Sequence, residues 1–235
     1  MMDLQQEADR YWSAKDDRVD ARRLAFLADF VPAGARVLVV DGGPGMLAAL
    51  LRERGFDVCM TDVSRVAVER ARAQGLRAEV ADTDSDTLPF AAGEFDCVLS
   101  DSAIEHRFHW RRAFEESRRV LRDGGTFVLL VPNTAHWRHR LQLACGRWEP
   151  VDGSATDRCH LRFFARSEIE RALADLGFII TQRSGWAALW VKGLWPACCR
   201  LPLVRGFCEW MARVWPTLWA RDFVLTVRKN AASRS

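Results

Sequence analysis

The sequence lacks several features that would mark a membrane protein, a zinc finger or a disulfide-stabilised protein. No stretch approaches the ~18 consecutive apolar residues of a membrane-spanning helix. The seven cysteines include no Cys-x-x-Cys pair, and their odd number argues against a disulfide framework. The start of the chain is acidic and polar, which predicts no signal peptide. We therefore expect a cytoplasmic protein with reduced thiols and no metal site.

Net charge and tyrosine are also scarce, whereas tryptophan is abundant and unevenly placed. The 34 Lys and Arg residues nearly balance 31 Asp and Glu, and a formal charge of +3 gives no reason to expect a nucleic-acid partner. Ten tryptophans accompany a single tyrosine, and six of the ten lie at or after Trp186. Eight basic and two acidic residues follow position 183. The last fifth of the chain is therefore basic and rich in tryptophan.

Apolar runs and helical patterns alternate along most of the chain. Strands are predicted at 36–40, 58–61, 77–80, 95–100, 126–131, 178–182 and 223–228. Helices are predicted at 8–31, 46–54, 64–74, 110–121 and 167–176. A continuous β-branched run such as that at 36–40 is typical of a strand buried on both faces. The alternation predicts an α/β fold with a parallel sheet.

A glycine-rich turn, Asp41-Gly-Gly-Pro-Gly45, joins the first predicted strand to a helix. Glycine permits close backbone approach to a ligand, and the helix N-terminus presents unpaired N–H groups. Asp62 ends the second strand, where it could accept hydrogen bonds from both hydroxyls of a ribose. Alternatively, the turn holds no ligand, and Asp62 or Ser64 caps the next helix. The turn and Asp62 together favour an adenosine-containing cofactor without deciding which one.

Four stretches of the sequence resemble the class I S-adenosylmethionine-dependent methyltransferases. They are 37–45, 62–71, 88–90 with 95–98, and 105–106 with 119–125 and 131–133. The later stretches 146–149 and 157–164 are similar to a MetW-like subgroup within the methyltransferase type 11–12 group. The resemblance implies a Rossmann-like, doubly wound seven-stranded sheet, mostly parallel with an antiparallel last strand. It also implies S-adenosylmethionine as cofactor and S-adenosylhomocysteine as product, and a nicotinamide-dependent oxidoreductase is the less favoured alternative.

The resemblance implies which residues hold the cofactor. Two glycines of the turn match the family's turn glycines, and Asp62 matches its ribose-binding acid. Asp82 and Thr83 fall where the family places an acid and an N–H group against the adenine, although Asp84 and Asp86 offer other alignments. Ser100 lies where the methionine portion passes. The full predicted set is Asp41, Gly42, Gly43, Gly45, Asp62, Val63, Asp82, Thr83 and Ser100.

The sequence departs from the family pattern in the first strand and its turn. The family has an acid at the position of Val39 and a glycine at the position of Asp41. Asp41 can supply the missing carboxylate from two residues later, since Asp tolerates the left-handed region. Otherwise cofactor binding is weakened or lost. The departure motivates a rival hypothesis, a non-catalytic MetW-like partner or regulatory protein.

Glu105, His106 and His160 are the predicted catalytic residues. Methyl transfer from a sulfonium is an in-line displacement, and it needs a base only if the nucleophile carries a weakly acidic proton. His106 is the candidate base because an ordinary histidine pKa of ~6.5 suits neutral pH, and a structural hydrogen bond is its alternative role. His160 and Arg162 could orient an acceptor group or form a local ion pair. The expected acceptor is a small molecule or a lipid- or saccharide-linked group, methylated at oxygen.

We expect one domain, with an N-terminal helical segment (1–34), a cofactor-binding core (35–183), a Trp-rich helical insertion or lid (184–221) and a last strand with its tail (222–235). Apolar residues recur in the insertion at helical spacing: Leu203, Phe207, Met211, Val214 and Leu218. A lid or extra core layer over the acceptor site is favoured. Peripheral contact with a membrane and a homodimer through residues 186–219 are the alternatives. His109, His136 and His139 are expected on the surface.

Overall fold

The strands form one sheet in the computed structural model, which describes residues 4–14, 20–151, 154–186 and 201–230. They are β1 (Arg36–Val40), β2 (Asp57–Asp62), β3 (Arg77–Val80), β4 (Phe95–Asp101), β5 (Leu121–Pro132), β6 (Phe178–Trp186) and β7 (Asp222–Lys229). Their order across the sheet is β3-β2-β1-β4-β5-β7-β6. β7 is antiparallel to both of its neighbours, and the other neighbouring strands are parallel. The predicted Rossmann-like α/β sheet with an antiparallel last strand is confirmed.

Helices lie before, between and after these strands. They are α1 (Leu4–Ala14), α2 (Ala21–Ala28), α3 (Met46–Glu53), α4 (Arg65–Ala73), α5 (Trp110–Val120), α6 (Trp137–Ala144), α7 (Arg166–Asp175), α8 (Pro202–Val214) and α9 (Pro216–Trp219). A single 3₁₀ turn, Ile104–His106, follows β4. Helices α3, α4 and α5 connect β1 to β2, β2 to β3 and β4 to β5, whereas residues 81–94 connect β3 to β4 without a helix.

β1 supplies side chains to the cores on both faces of the sheet. Val37 and Val39 pack with residues of α2, α3 and α4. Leu38 and Val40 pack on the opposite face with residues of α5 and α7. Because side chains alternate along a strand, a strand covered on both faces must be apolar at successive positions. This requirement explains why the apolar run predicted the strand correctly.

Three predicted elements differ from the structure by more than one residue at a boundary. The helix predicted over 8–31 is divided into α1 and α2, and Asp20 caps α2 by accepting a hydrogen bond from the Arg22 N–H at 3.0 Å. β5 begins at residue 121 instead of 126, and β6 extends to Trp186, which pairs with Asp222 of β7. Residues 184–186, predicted to begin the insertion, are therefore part of the sheet.

A helical segment precedes the last strand as predicted, but its apolar face points outward. α8 buries Cys208 and Ala212, whereas Leu203, Phe207 and Val214 are exposed. Residues 187–200, which hold the rest of the predicted insertion, lie outside the described residues. The described residues therefore do not bury this face as an extra core layer. Within the described ranges, no helix is long and apolar enough to cross a membrane.

A core substitution tests the packing between α5 and the sheet. Phe114 is fully buried, and its ring contacts those of Trp110 and Phe127. We expect Phe114→Ala to lower the free energy of unfolding by about 3–5 kcal/mol, because it removes ring contacts and leaves a cavity. Urea unfolding followed by circular dichroism measures this change. Phe108→Ala alters an exposed ring and should cost less than about 0.5 kcal/mol; equal losses in the two variants would contradict the prediction.

Candidate active site

The glycine turn after β1 is held in a conformation that requires glycine at two positions. Gly43 and Gly45 have φ angles of 57° and 91°, in the left-handed region. A Cβ on Gly45 would lie 2.5 Å from the Leu76 side chain. The Gly42 N–H donates to the Thr61 carbonyl of β2 at 2.9 Å. The turn is therefore packed tightly between β2 and the start of α3, as the sequence predicted.

Helix α1 covers the glycine turn. A Cβ on Gly43 would lie 2.7 Å from the Trp12 ring, so the indole of α1 rests directly on the turn. Asp9 of α1 accepts hydrogen bonds from the Ser64 hydroxyl at 2.5 Å and the Val66 N–H at 3.2 Å. These contacts attach α1 to the N-terminus of α4. Sequence reasoning missed both residues of α1, since nothing in its local pattern shows what it packs against.

Asp62, at the end of β2, holds the turn through its carboxylate. One oxygen accepts from the Gly43 N–H and the other from the Ser64 N–H, both at 2.8 Å. Burial and the nearby charge of Asp41 raise the pKa of Asp62 to about 6, against the lowering effect of these hydrogen bonds. The N-cap of α4 is Ser64, whose hydroxyl accepts from the Ala67 N–H at 3.1 Å. Asp62 is therefore available for a role other than helix capping.

Asp41 occupies the glycine position with a left-handed backbone, at φ 54°. Its carboxylate forms a two-point ion pair with the Arg107 guanidinium, one contact being 3.2 Å from Nε, and both side chains are less than 10% exposed. The Thr83 hydroxyl donates to the same carboxylate at 3.4 Å. Burial raises the pKa of Asp41, and the Arg107 charge opposes that rise. Asp41 thus does not replace the missing acid in holding the turn, since Asp62 performs that task.

Arg107 also connects the turn to the end of β3, a role that sequence reasoning missed. Its Nη1 donates to Asp82 at 3.0 Å. Asp84 instead accepts from the Phe108 and His109 N–H groups, each at 2.9 Å. Of the alternative acids at 82, 84 and 86, Asp82 is therefore the one whose side chain reaches Arg107. An acid at a glycine position suggests a counter-charge nearby, but it does not say which of 34 basic residues supplies it.

The remaining predicted cofactor residues are buried beside these groups. Val63, Thr83 and Ser100 are all less than 9% exposed. Ser100 pairs in register with Val40, so the end of β4 lies beside the start of the glycine turn. The structure therefore gathers the predicted cofactor residues of β1, β2, β3 and β4 at one edge of the sheet.

Glu105 lies in the 3₁₀ turn after β4, and its carboxyl group is almost fully buried. Neither carboxyl oxygen has a hydrogen-bond donor on another residue of the described part of the chain. Burial is the main cause that raises the pKa of Glu105 to about 8, and the charges of Asp101 and Asp222 add to it. The carboxyl group is therefore largely protonated at neutral pH.

His106 and His160 meet beside Glu105. Their ring centroids are 4.8 Å apart, and His160 Nε2 lies 3.9 Å from Glu105 Oε1. Each ring contacts a carbonyl through Nδ1: that of Cys159 for His106 at 3.1 Å, and that of Ala155 for His160 at 3.3 Å. Burial lowers the pKa of both rings, that of His106 to about 4. The three predicted catalytic residues are thus neighbours, with neutral imidazoles.

A second ion cluster lies on the other side of Glu105 and was not predicted. Arg23 of α2 bonds Asp101 at 2.8 Å and the Ser102 hydroxyl at 2.8 Å. Its Nε lies 3.7 Å from Asp222 of β7. The cluster connects α2, β4 and β7 at the same edge of the sheet. Its members come from distant parts of the chain, so no local pattern identifies it.

Two histidines expected on the surface are buried, and that prediction is wrong. His136 is only 9% exposed, and it caps α6 by accepting from the Arg138 N–H at 3.3 Å. His139 is 8% exposed on the same helix. His109 is exposed as predicted. His136 is buried as the cap of α6, and His139 is buried on one face of the same helix. A histidine seen only in the sequence does not reveal either position.

Comparison with known families decides what kind of site this is. The family described as a methyltransferase domain matches residues 11–183, which include the glycine turn, Asp62, Arg107 and the His160 loop. The chain belongs to the class I S-adenosylmethionine-dependent methyltransferases. S-adenosylmethionine is the methyl donor of this family, and the expected cofactor class is confirmed. The nicotinamide alternative has no support.

The chain is similar in part to several named methyltransferases. A malonyl-[acyl-carrier protein] O-methyltransferase of Geobacter sulfurreducens is 33% identical over 71% of this chain and 64% of its own. A sarcosine/dimethylglycine N-methyltransferase of Aphanothece halophytica is 37% identical over 43% of this chain and 39% of its own. A ubiquinone/menaquinone biosynthesis C-methyltransferase of Nitrosospira multiformis is 33% identical over 46% and 48%. The chain spans less than two thirds of the length of each, and their acceptor atoms differ.

The fold is shared with solved methyltransferase structures. An S-adenosylmethionine-dependent methyltransferase from Mesorhizobium loti aligns over 87% of this chain and 96% of its own, with a TM-score of 0.60 and 19% identity. At that identity the likeness shows the fold alone.

The residues of the cleft fit the cofactor of the family. A carboxylate offers about four lone pairs, and Asp62 uses two of them on the protein, which leaves capacity for ribose hydroxyls. Asp41, Asp62 and Asp82 set three acidic groups against the one guanidinium of Arg107. The resulting excess of negative charge suits a cationic sulfonium compound.

The pKa of Asp62 makes cofactor binding dependent on pH. Below pH 6 the carboxyl is mostly protonated, and one of its oxygens becomes a donor, which leaves less capacity to accept from ribose hydroxyls. We expect S-adenosylmethionine affinity to fall up to about tenfold from pH 7.5 to 5, as one proton must be lost on binding. Isothermal titration calorimetry at several pH values measures this. In Asp62→Asn the affinity should be low and nearly constant over that range; an unchanged pH dependence would remove Asp62 from the site.

Proposed function

We propose that the protein transfers a methyl group from S-adenosylmethionine to an oxygen atom of a small-molecule or lipid- or saccharide-linked acceptor. The arrangement of three consecutive residues carries this proposal. Arg107 enters the cleft between Asp41 and Asp82, whereas Glu105 and His106 lie against the loop of His160. A donor end and an acceptor end are therefore adjacent, on either side of one short turn.

The chain's own contribution is to align the acceptor and keep water out. When bound, S-adenosylmethionine would supply an electrophilic methyl group; an aligned acceptor atom would bond to its carbon as the carbon–sulfur bond breaks and S-adenosylhomocysteine leaves. Ser100, Glu105 and Arg107 are all less than 5% exposed, so the residues between the two ends are shielded from solvent. A dry site strengthens electrostatic interactions with the bound groups. Positioning, with little proton transfer, is what these side chains can provide.

Oxygen is favoured over nitrogen by the charges at the acceptor end. Because Nδ1 of His106 and of His160 faces a carbonyl, it carries the proton in the neutral ring, and Nε2 retains a lone pair. A hydroxyl can donate to such a lone pair. An amine that arrives as an ammonium must lose a proton before its nitrogen can attack; His106, with a pKa of about 4, takes up that proton poorly, and the nearby Asp101 is already paired with Arg23. The lone pairs therefore match an oxygen acceptor better.

The acidity of the acceptor follows from the weak basicity of His106. With a pKa of about 4, its imidazole holds a proton poorly at neutral pH. A base this weak removes little of the barrier for an aliphatic alcohol, whose proton is far less acidic. We infer that the acceptor oxygen is acidic, as in a phenol or an enol, and that its hydroxyl donates to an Nε2 lone pair.

A turnover assay tests this function. Purified protein, S-adenosylmethionine and separate panels of carboxylates, phenols and sugar alcohols are assayed for release of S-adenosylhomocysteine. We expect release with an acidic oxygen acceptor, and we expect His160→Ala to lower kcat/KM about tenfold to a hundredfold through lost alignment of the acceptor. The matched control His109→Ala, an exposed ring outside this cluster, should retain the wild-type value.

The same assay separates the proposal from the non-catalytic alternative. Micromolar cofactor binding, about 8 kcal/mol, with no release above the acceptor-free rate in any panel would support a binding-competent partner or regulatory protein. Turnover confined to the amine acceptors of a parallel panel would overturn the choice of oxygen.

Arg107 sets the charge of the cofactor cleft. Its removal exposes the cofactor to the unneutralised charges of Asp41 and Asp82. We expect Arg107→Met to shift the affinity ratio toward cationic S-adenosylmethionine over neutral S-adenosylhomocysteine by about fivefold, because nearby charges interact strongly in a buried site. Calorimetric titration with each ligand gives the ratio. Arg111→Met, an exposed cation on α5, is the control, and equal ratios in the two variants would refute the charge argument.

Contact of residues 186–219 with a membrane or with a second copy of the chain stays a prediction. α8 exposes Leu203, Phe207 and Trp210 on its surface. Arg205 on the same helix lies 3.7 Å from Glu209. An exposed apolar face beside arginine is compatible with a lipid-linked acceptor.

A further inference from the structure

Four side chains of metal-ligating types meet at the acceptor end of the site. They come from two dipeptides, Glu105-His106 in the 3₁₀ turn and Cys159-His160 in the loop before α7. Ligand atoms of His106, Cys159 and His160 all lie within 4.8 Å of one another. Glu105 Oε1 lies 3.9 Å from His160 Nε2. The sequence alone predicted no metal site, because the two pairs are more than 50 residues apart and neither has zinc-finger spacing.

Backbone hydrogen bonds hold the two dipeptides together. The N–H groups of Leu161 and Arg162 both donate to the Glu105 carbonyl, at 2.8 and 3.0 Å. The His160 N–H donates to the Asp157 carbonyl at 3.1 Å, which closes a tight turn around Cys159. The cluster is therefore built by the main chain and does not depend on side-chain packing alone.

Both imidazoles are oriented as metal-binding histidines usually are. In such sites the ring nitrogen that does not bind the metal donates to a carbonyl or carboxylate, which fixes the tautomer. Here Nδ1 of His106 contacts the Cys159 carbonyl and Nδ1 of His160 contacts the Ala155 carbonyl. The Nε2 atoms are left with their lone pairs, which is the form that a metal requires.

Glu105 provides an independent indication of a ligand. A buried carboxyl group normally has hydrogen-bond partners. Glu105 is 1% exposed, yet neither of its carboxyl oxygens meets a donor on another residue in the described ranges. A cation bound to the neighbouring His160 would give these two oxygens a partner.

We propose that His106, Cys159 and His160 bind one divalent transition-metal ion, with Zn²⁺ as the ion of best fit and with Glu105 beside it. The nitrogen and sulfur set suits zinc and disfavours magnesium or calcium, which prefer oxygen alone. Zinc bonds of about 2.0–2.3 Å require the three ligand atoms to lie closer together than the 4.8 Å that spans them in this structure. Binding releases the Cys159 thiol proton to solvent.

The location gives the ion a use in the reaction. Three protein ligands leave the fourth tetrahedral position of the ion open. An acceptor hydroxyl bound there would be acidified by the ion, which would then replace the Nε2 lone pairs of His106 and His160 as the partner of the acceptor. This use rests on the proposed methyl transfer, whereas the binding of the metal does not.

Titration with Co²⁺, followed by displacement with Zn²⁺, tests the site on the full chain after treatment with a chelator. Wild type should bind one Co²⁺ per chain, with visible absorption of a tetrahedral ion and a thiolate-to-cobalt charge-transfer band. Cys159→Ala should abolish that band and weaken binding at least about tenfold, and His160→Ala should weaken binding similarly, since each removes a ligand. Cys145→Ala and His109→Ala alter exposed residues outside the cluster and should bind as wild type does.

Failure of this inference differs from failure of the proposed function. Absence of Co²⁺ binding at millimolar metal, or equal binding by wild type and Cys159→Ala, would overturn the metal site. If methyl transfer persists in protein freed of metal, the metal has no role in the reaction, and the proposed function still holds. If the wild type binds one ion that Cys159→Ala does not bind, and the wild type shows no turnover, the metal site is supported and the methyl transfer is refuted.

Discussion

The buried guanidinium of Arg107 is the interaction on which the cofactor cleft depends. Parallel strands bring Asp41, Asp62 and Asp82 to one edge of the sheet, where like charges in a buried space repel one another. Arg107 bonds two of these acids, and backbone N–H groups bond the third. Without the guanidinium, Asp41 would be a buried charge with no counter-ion, which typically costs about 3–5 kcal/mol. The acid at this glycine position is therefore tolerated because Arg107, in the turn after β4, supplies its counter-charge.

The sequence predicted those parts of this arrangement whose causes are local. The β-branched run of β1 and the glycines at 43 and 45 have the same structural meaning wherever they occur, so both were assigned correctly. Asp62 was predicted as a functional acid because it ends a strand next to that turn. His106 and His160 were predicted as candidate catalytic residues from separate stretches, and their contact was not predicted, since no spacing rule connects residues so far apart.

The parts that the sequence did not predict depend on contacts between distant segments. Arg107 looks like any other basic residue until Asp41 is seen beside it. Trp12 covers Gly43 only because Asp9 attaches α1 to α4. His136 is buried where its ring caps α6 beside the rings of Trp137 and His139, and a histidine in isolation gives no sign of this. Local propensity therefore determines the elements, whereas the charges and aromatic rings of the site depend on how the elements pack.

The residues 105–107 connect the two ends of the site within one turn. The 3₁₀ turn ends at His106, and Arg107 follows it in an extended conformation, so its side chain points away from those of the turn. Glu105 and His106 face the loop of His160, while Arg107 reaches into the cofactor cleft. The loop's hydrogen bonds to the Glu105 carbonyl fix the position of the turn, and with it the position of the guanidinium. Any shift of the His160 loop therefore also moves the guanidinium that lies between Asp41 and Asp82. Under the proposed function, this connection through three residues of main chain would couple acceptor binding to cofactor binding.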